Sequence, residues 1–222
     1  MRIVFALALL LVLSGCKPGP RKTDAPSFAE AILPTGWSRV SSPDYGFSLG
    51  IPPGWSWKDM KGALDRIPDP KGDGRSLQLD LLSNLASWMS SSRSRGFVAV
   101  APEEGSGAVH LLLAHSEPYQ KEPTLEKEAQ RLSSEYGKHP HLRITNPPRL
   151  VEVPAGKAVY AEGGLDGAAF GVENVRVTAK HYVLLNENTR YSLVFFSSIG
   201  TGGEPVKTKE ISETLRYLPG KR

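Results

Sequence analysis

An α+β sandwich with a mostly antiparallel sheet is the fold class that three features of this 222-residue sequence predict. Apolar residues alternate with small or polar ones in several short runs, which is the period of a strand with one buried face. A mid-chain segment switches to helical spacing, and a second helical segment lies near the C-terminus. Residues 27–222 are expected to form one such domain, with residues 1–15 as a signal peptide and residues 16–26 as a tether.

The N-terminus reads as an address. Arg2 supplies a positive start, residues 3–13 are apolar, and Ser14 and Gly15 are the small residues a signal peptidase requires. The apolar run is too short to span a bilayer, which takes ~20 residues. Cys16 is the only cysteine and follows directly, so Leu13-Ser14-Gly15-Cys16 resembles the lipobox of bacterial lipoproteins. That resemblance implies acylation of the Cys16 thiol, cleavage before it and a second acylation at the new N-terminus. Each buried acyl carbon contributes about 0.8 kcal/mol, so several chains anchor stably where one does not. With its single cysteine acylated, the mature chain has no disulfide available and rests on its core. Lys17 stands where many inner-membrane lipoproteins carry Asp, so the outer membrane is favoured over the inner, with the domain facing the periplasm.

Residues 17–26 are rich in Pro, Gly and charge and read as the tether. Ser27 and Glu30 have capping-box spacing, which predicts a brief helix ending near Leu33 before Pro34. Strands are then expected at Phe47, Leu49 and Ile51, at Leu77, Leu79 and Leu81, and at Val109, Leu111 and Leu113, the last with a partly apolar second face through Leu112 and Ala114. Leu125, Ala129, Leu132 and Tyr136 share one helical face, Thr124 stands at the N-cap, and Gly137 suits a left-handed C-cap. Further strands are expected over 157–162, 174–185 and 190–198, the last two joined by a turn at residues 186–189. Pro205 opens a final helix running to about Glu213, and residues 215–218 form a short closing strand. Residues 84–107 read as a long connection, and residues 163–173, rich in Gly and Ala, as an open turn.

Residues 44–57 (DYGFSLGIPPGWSW) resemble the opening hairpin of the PsbP/Mog1-like superfamily: an aromatic-Gly-Phe strand, a Pro-x-x-Trp corner, then a second strand. Pro52 and Pro53 end ladder pairing, Gly54 permits the corner, and Trp55 is expected inside as an apolar plug. The amphipathic helix, the strand with Gly156-Lys157-Ala158, the arm around residues 191–196 and the Leu215-Arg216-Tyr217-Leu218 ending follow in the same order. The resemblance spans residues 37–218 and implies an αβα sandwich with binding or assembly roles.

Little in the chain points to chemistry. The formal charge of +4 is small, and Arg2, Lys17, Arg21 and Lys22, less Asp24, supply three of it, so nucleic acid is not expected as a partner. His139 and His141 offer two metal ligands, an incomplete set, and read as a polar loop; no metal or cofactor is expected. His181 shares a face with Val177, Ala179 and Val183 and reads as a satisfied sheet histidine, while spacing identifies no partner for His110 or His115. Gly200, Gly202 and Gly203 lack the spacing of a phosphate loop. Glu103, Glu104, Glu126 and Glu128 read as solvated, as does the serine-arginine stretch over residues 90–95. Trp88 and Met89 are a candidate partner contact, whereas no catalytic residues are identifiable. The expected function is a non-catalytic module binding a protein partner of the cell envelope, with carriage of a lipid or other hydrophobic ligand as the alternative.

Overall fold

The computed structural model describes residues 32–61, 77–101, 108–119, 123–138, 141–167, 176–199 and 208–218. Cys16 with its lipobox, the tether, the capping-box segment from Ser27, Glu103, Glu104, His139, Pro205 and the loop at residues 200–203 lie outside the described residues.

Seven strands of the described residues form one sheet: β3 (Ser56–Lys61), β4 (Arg95–Val100), β5 (Val109–Pro118), β9 (Thr189–Ile199), β8 (Arg176–Asn186), β7 (Gly156–Asp166) and β6 (Arg143–Val153), in that spatial order. Every neighbouring pair is antiparallel. β1 (Ser38–Ser42), β2 (Phe47–Ile51) and β10 (Arg216–Tyr217) make a second, three-stranded sheet with β2 in the centre. Helices α1 (Leu77–Trp88) and α2 (Leu125–Lys138) cover one face of the large sheet, while the small sheet and α3 (Thr208–Glu213) cover the other.

Each face has its own core. Leu79, Leu82 and Leu85 of α1 and Leu132 and Tyr136 of α2 pack on Leu111, Leu113, Val194 and Phe196. On the opposite side Phe47, Leu49, Ile51 and Ile211 meet Phe97, Leu112, Leu193 and Phe195. The even and odd residues of β5 thus serve different cores, as the apolar second face of this segment predicts.

Several expectations change. Residues 77, 79 and 81 begin α1 rather than a strand, because Leu79, Leu82, Leu85 and Ala86 form a helical stripe that three alternating leucines alone do not reveal. β2 is buried on both faces, not one: Phe47, Leu49 and Ile51 enter the core, while Gly50 donates its N–H to Thr214 Oγ1 at 2.8 Å. Residues 44–57 do not close a hairpin. Pro52 and Pro53 end β2, Gly54 takes a left-handed φ of 82°, and the chain passes from the small sheet into β3 of the large one. Trp55 is half-buried against the second core. The long connection over 84–107 holds the end of α1 and all of β4, and residues 163–166 of the expected open turn belong to β7.

Gly137 is helical, not a left-handed cap, since α2 continues to Lys138 and Gly137 has no positive φ. β6 contains Pro147 and Pro148, which hid it; it is an edge strand with register shifts around them, where a missing N–H is tolerated. The β8–β9 turn, the α2 cap and the closing strand form as expected: Glu187 adopts φ 50° in the turn, and Lys127 N–H reaches Thr124 Oγ1 at 3.3 Å.

Candidate functional site

Three neighbouring strands change character together at one end of the α1/α2 face. Along β5 the alternating row runs Leu111, Leu113, His115, Glu117; along β9 it runs Phe196, Val194, Ser192, Arg190; β8 adds His181 after Val177 and Ala179. The register makes Glu117 the cross-strand partner of Arg190, and His115 that of Ser192, while Val194 lies between Leu113 and His181. A recess of about 260 Å³ opens there, closed by α1 and the loop after it through Trp88, Met89 and Ser91, and by Arg131, Glu135 and Lys138 of α2. Gly96 of β4 is paired with His115 so closely that a Cβ would stand 2.0 Å from the Ala114 carbonyl oxygen, so the strand needs glycine here.

Charges in this region are fixed by pairing. Glu117 accepts hydrogen bonds from Ser91, Ser94 (2.8 Å) and the Arg190 guanidinium. Arg190 also approaches Glu128 at 3.6 Å, and Arg131 joins Glu128 (2.7 Å) to Glu135. Burial alone would raise the Glu117 carboxyl, but the bonds from Ser91, Arg190 and Ser94 outweigh it and bring it down to about 2. His115 is lowered to about 4 by burial, with Arg190 and Arg131 adding to the effect and Glu117 opposing it. Burial also holds His181 well below its ordinary value, helped by Arg131, His115 and Arg190. Both imidazoles are therefore neutral at neutral pH.

Not all polar atoms here have protein partners. Neither ring nitrogen of His181 is hydrogen-bonded within the protein, nor is His115 Nδ1 or the Arg190 Nε, and the two histidines are only 4% and 3% exposed. The reading of His181 as a satisfied sheet histidine is thus corrected: its strand neighbours are apolar as predicted, but its ring faces a recess built by other elements. Glu128 is corrected too, being 4% exposed and ion-paired, whereas Glu126 stays exposed at the start of α2. Of the serine-arginine stretch, Ser92 and Arg93 are exposed, but Ser91 and Ser94 turn inward to Glu117. His110 lies on the opposite face, bonded to Ser197 Oγ at 3.0 Å, and His141 is exposed. Among the described residues no group of three or more His, Cys, Asp or Glu side chains is placed to hold a metal ion. Trp88 is 39% exposed at the end of α1, and Trp57 46% exposed on the edge strand β3 against Phe97.

Glu117, Arg190 and Arg131 have no motif that marks them in the sequence. The only available signal was the interruption of apolar alternation by His115 and Glu117 in one run and by Ser192 and Arg190 in another.

The architecture defines a class: an α+β sandwich whose antiparallel sheet carries two helices on one face and a small sheet with a short helix on the other, with a polar recess at one end. No protein-family model and no curated protein matches the chain. Among solved structures, one from Bacteroides thetaiotaomicron VPI-5482 is similar over 83% of this chain, with TM-score 0.46 and 13% identity; this chain spans about half of that one, 49%. The solution structure of cyanobacterial PsbP (CyanoP) from Synechocystis sp. PCC 6803 is similar over 85% of this chain and 96% of its own length, with TM-score 0.45 and 12% identity.

Proposed function

We propose that this chain is an exported lipoprotein, held at the membrane through acylated Cys16, whose PsbP/Mog1-like domain is a non-catalytic module that binds a protein partner in an envelope assembly. The observation that carries the non-catalytic reading is the tuning of the polar cluster. General acid–base catalysis works best with a group titrating near the operating pH, yet Glu117 lies at about 2 and His115 at about 4. Their neighbours are engaged in fixed ion pairs rather than aimed at one another as base and nucleophile. The Leu13-Cys16 spacing supports the anchor, and the Pro52-Pro53-Gly54 corner supports the family reading. Exposed Trp88 beside Met89 offers the kind of aromatic anchor that protein interfaces use. A lipid carrier is the weaker reading, because an acyl chain would meet Arg131, Arg190, Glu117 and Glu135 in the recess.

Crosslinking in intact cells followed by capture of the chain tests the proposal. A specific envelope protein is the expected product, lost or weakened in Trp88→Ala; recovery of none under several crosslinking conditions would overturn it. Cys16→Ser is expected to leave the precursor uncleaved and to remove mature protein from the membrane fraction. Normal processing of that variant would refute the anchor. In a host with two membranes, Lys17→Asp is expected to move the protein toward the inner one.

A further inference from the structure

The geometry points to a second membrane contact: the tryptophan corner at the end of β2, built from Trp37, Trp55 and Trp57, seats the domain on the headgroup layer of the bilayer. This rests on the anchor at Cys16 proposed above and adds an orientation to it.

The path of the chain gathers the three rings. Ser38 of β1 is the cross-strand partner of Ile51, so Trp37 stands beside Pro52 where β2 ends. A Cβ on Gly36 would lie 4.0 Å from Pro53 Cγ, which brings the two turns together. Past the corner, Trp55 and Trp57 are two residues apart, at most about 7 Å of chain. Trp37 and Trp55 rest on the second core, and Trp57 stands edge-on to Phe97 of the same core at 6.1 Å. None of the three is closed off: Trp57 is 46% exposed, and Trp37 and Trp55 are half-buried.

Chain connectivity names the occupant. The described residues begin at Ile32, which is 97% exposed. Leu33 packs over Gly50 of β2 so closely that a Cβ there would stand 2.7 Å from its Cδ2, so the chain enters the domain against this end of β2. Ile32 follows Cys16 by only sixteen positions. Covalent geometry therefore holds the corner within about 55 Å of the anchor, and the rest of the domain is held through it. Indole suits the headgroup layer, because its apolar body enters the acyl boundary while its N–H stays in polar surroundings. Lys17, Arg21 and Lys22, against Asp24 alone, favour an anionic surface along the same stretch of chain. Trp88 ends α1 on the opposite face of the large sheet, so seating the corner on lipid leaves the proposed partner contact uncovered.

Depth-resolved fluorescence tests this on the full chain as the cell processes it, reconstituted in phosphatidylethanolamine–phosphatidylglycerol vesicles with bromine either near the headgroup or near the acyl terminus. Shallow bromine is expected to quench Trp emission by about a third, and deep bromine by less than about half of that. Trp57→Ser is expected to lose about half or more of the shallow quenching, which persists in Trp88→Phe. In intact cells a photoreactive residue at position 57 is expected to label phospholipid. No quenching above that in unbrominated vesicles, stronger quenching by deep bromine, unchanged quenching in folded Trp57→Ser, loss of quenching in Trp88→Phe, or labelling of a protein from position 57 would each overturn the proposal. Should Trp57→Ser fail to fold, the parent chain and Trp88→Phe decide the matter. The anchor is read apart, by the mass of the purified chain. Without acyl groups that reading fails, and quenching is then measured after coupling Cys16, the only cysteine, to a maleimide lipid.

Discussion

The face of the large sheet under the small sheet and α3 is filled with rings: Phe47 lies 6.1 Å from both Phe97 and Tyr191, and Tyr182 meets Phe195 edge-on at 6.0 Å. On the face under α1 and α2 the core is mostly aliphatic and ends in His115, His181, Glu117 and Arg190. The same strands build both, since β5 sends Leu112 and Ala114 one way and Leu111, Leu113, His115 and Glu117 the other. Rings interdigitate to the end of the first face. On the second, the ion pairs hold strands and helix apart where apolar packing stops, and a recess remains. Stability should concentrate on the aromatic face and sensitivity to pH on the polar end.

Substitutions on the two faces can break that contrast. Phe47→Ala empties the centre of the aromatic core and is expected to cost about 3–5 kcal/mol in denaturant unfolding; a loss below about 1 kcal/mol would show that the rings are not the main support. Glu117→Gln removes the carboxylate bonded to Arg190, leaving Glu128 at 3.6 Å and the Tyr119 ring at 5.7 Å beside the guanidinium, and is expected to cost about 3 kcal/mol. Glu117→Gln is also expected to loosen the loop after α1, visible as faster amide exchange at Ser91 and Ser94, whereas Phe47→Ala leaves those amides relatively protected.

Acid should act mainly on the polar end. The free histidine value of 6.5 falls to about 4 for His115 in the folded chain, so the unfolded chain binds a proton across that window that the folded chain does not. Stability is then full above pH 6.5 and declines as pH falls toward 4, by up to about 3 kcal/mol for this group. His181 acts in the same direction, and Glu117 extends the loss from 4.5 down to about 2. Melting temperatures measured across this range should fall in the parent and fall less steeply in His115→Gln; a flat profile between pH 6.5 and 4.5 would contradict the buried, neutral state of the rings. The smallest effect is expected from Thr124→Ala, which removes the hydrogen bond to Lys127 N–H and should cost about 1 kcal/mol by loosening the start of α2.

Much of the architecture was legible. Leu125, Ala129, Leu132 and Tyr136 announce α2 because four residues on one helical face satisfy no other period, and the turn at Glu187 and Asn188 follows from polar residues between two apolar runs. Leu77, Leu79 and Leu81 misled because three alternating leucines fit a strand as well as a helix, and β6 was hidden by prolines that only an edge position tolerates. The site was far less legible. His115, His181 and Arg190 stand 66 and 9 positions apart along the chain, and no local pattern ties them together.

What the sequence by itself determined is the local record: a lipobox-like start at Cys16, the strand and helix periods, and the corner at Gly54, each a property of neighbouring residues. Only the tertiary structure decided which histidine is satisfied and which is not. Pairing β5 with β9 and β9 with β8 sets His110 against Ser197 on one face and brings His115, His181 and Arg190 together on the other. Burial then lowers the imidazoles, and Ser91, Ser94 and Arg190 hold Glu117 ionised, because desolvation and charge depend on what surrounds a group in space rather than on its neighbours in the chain.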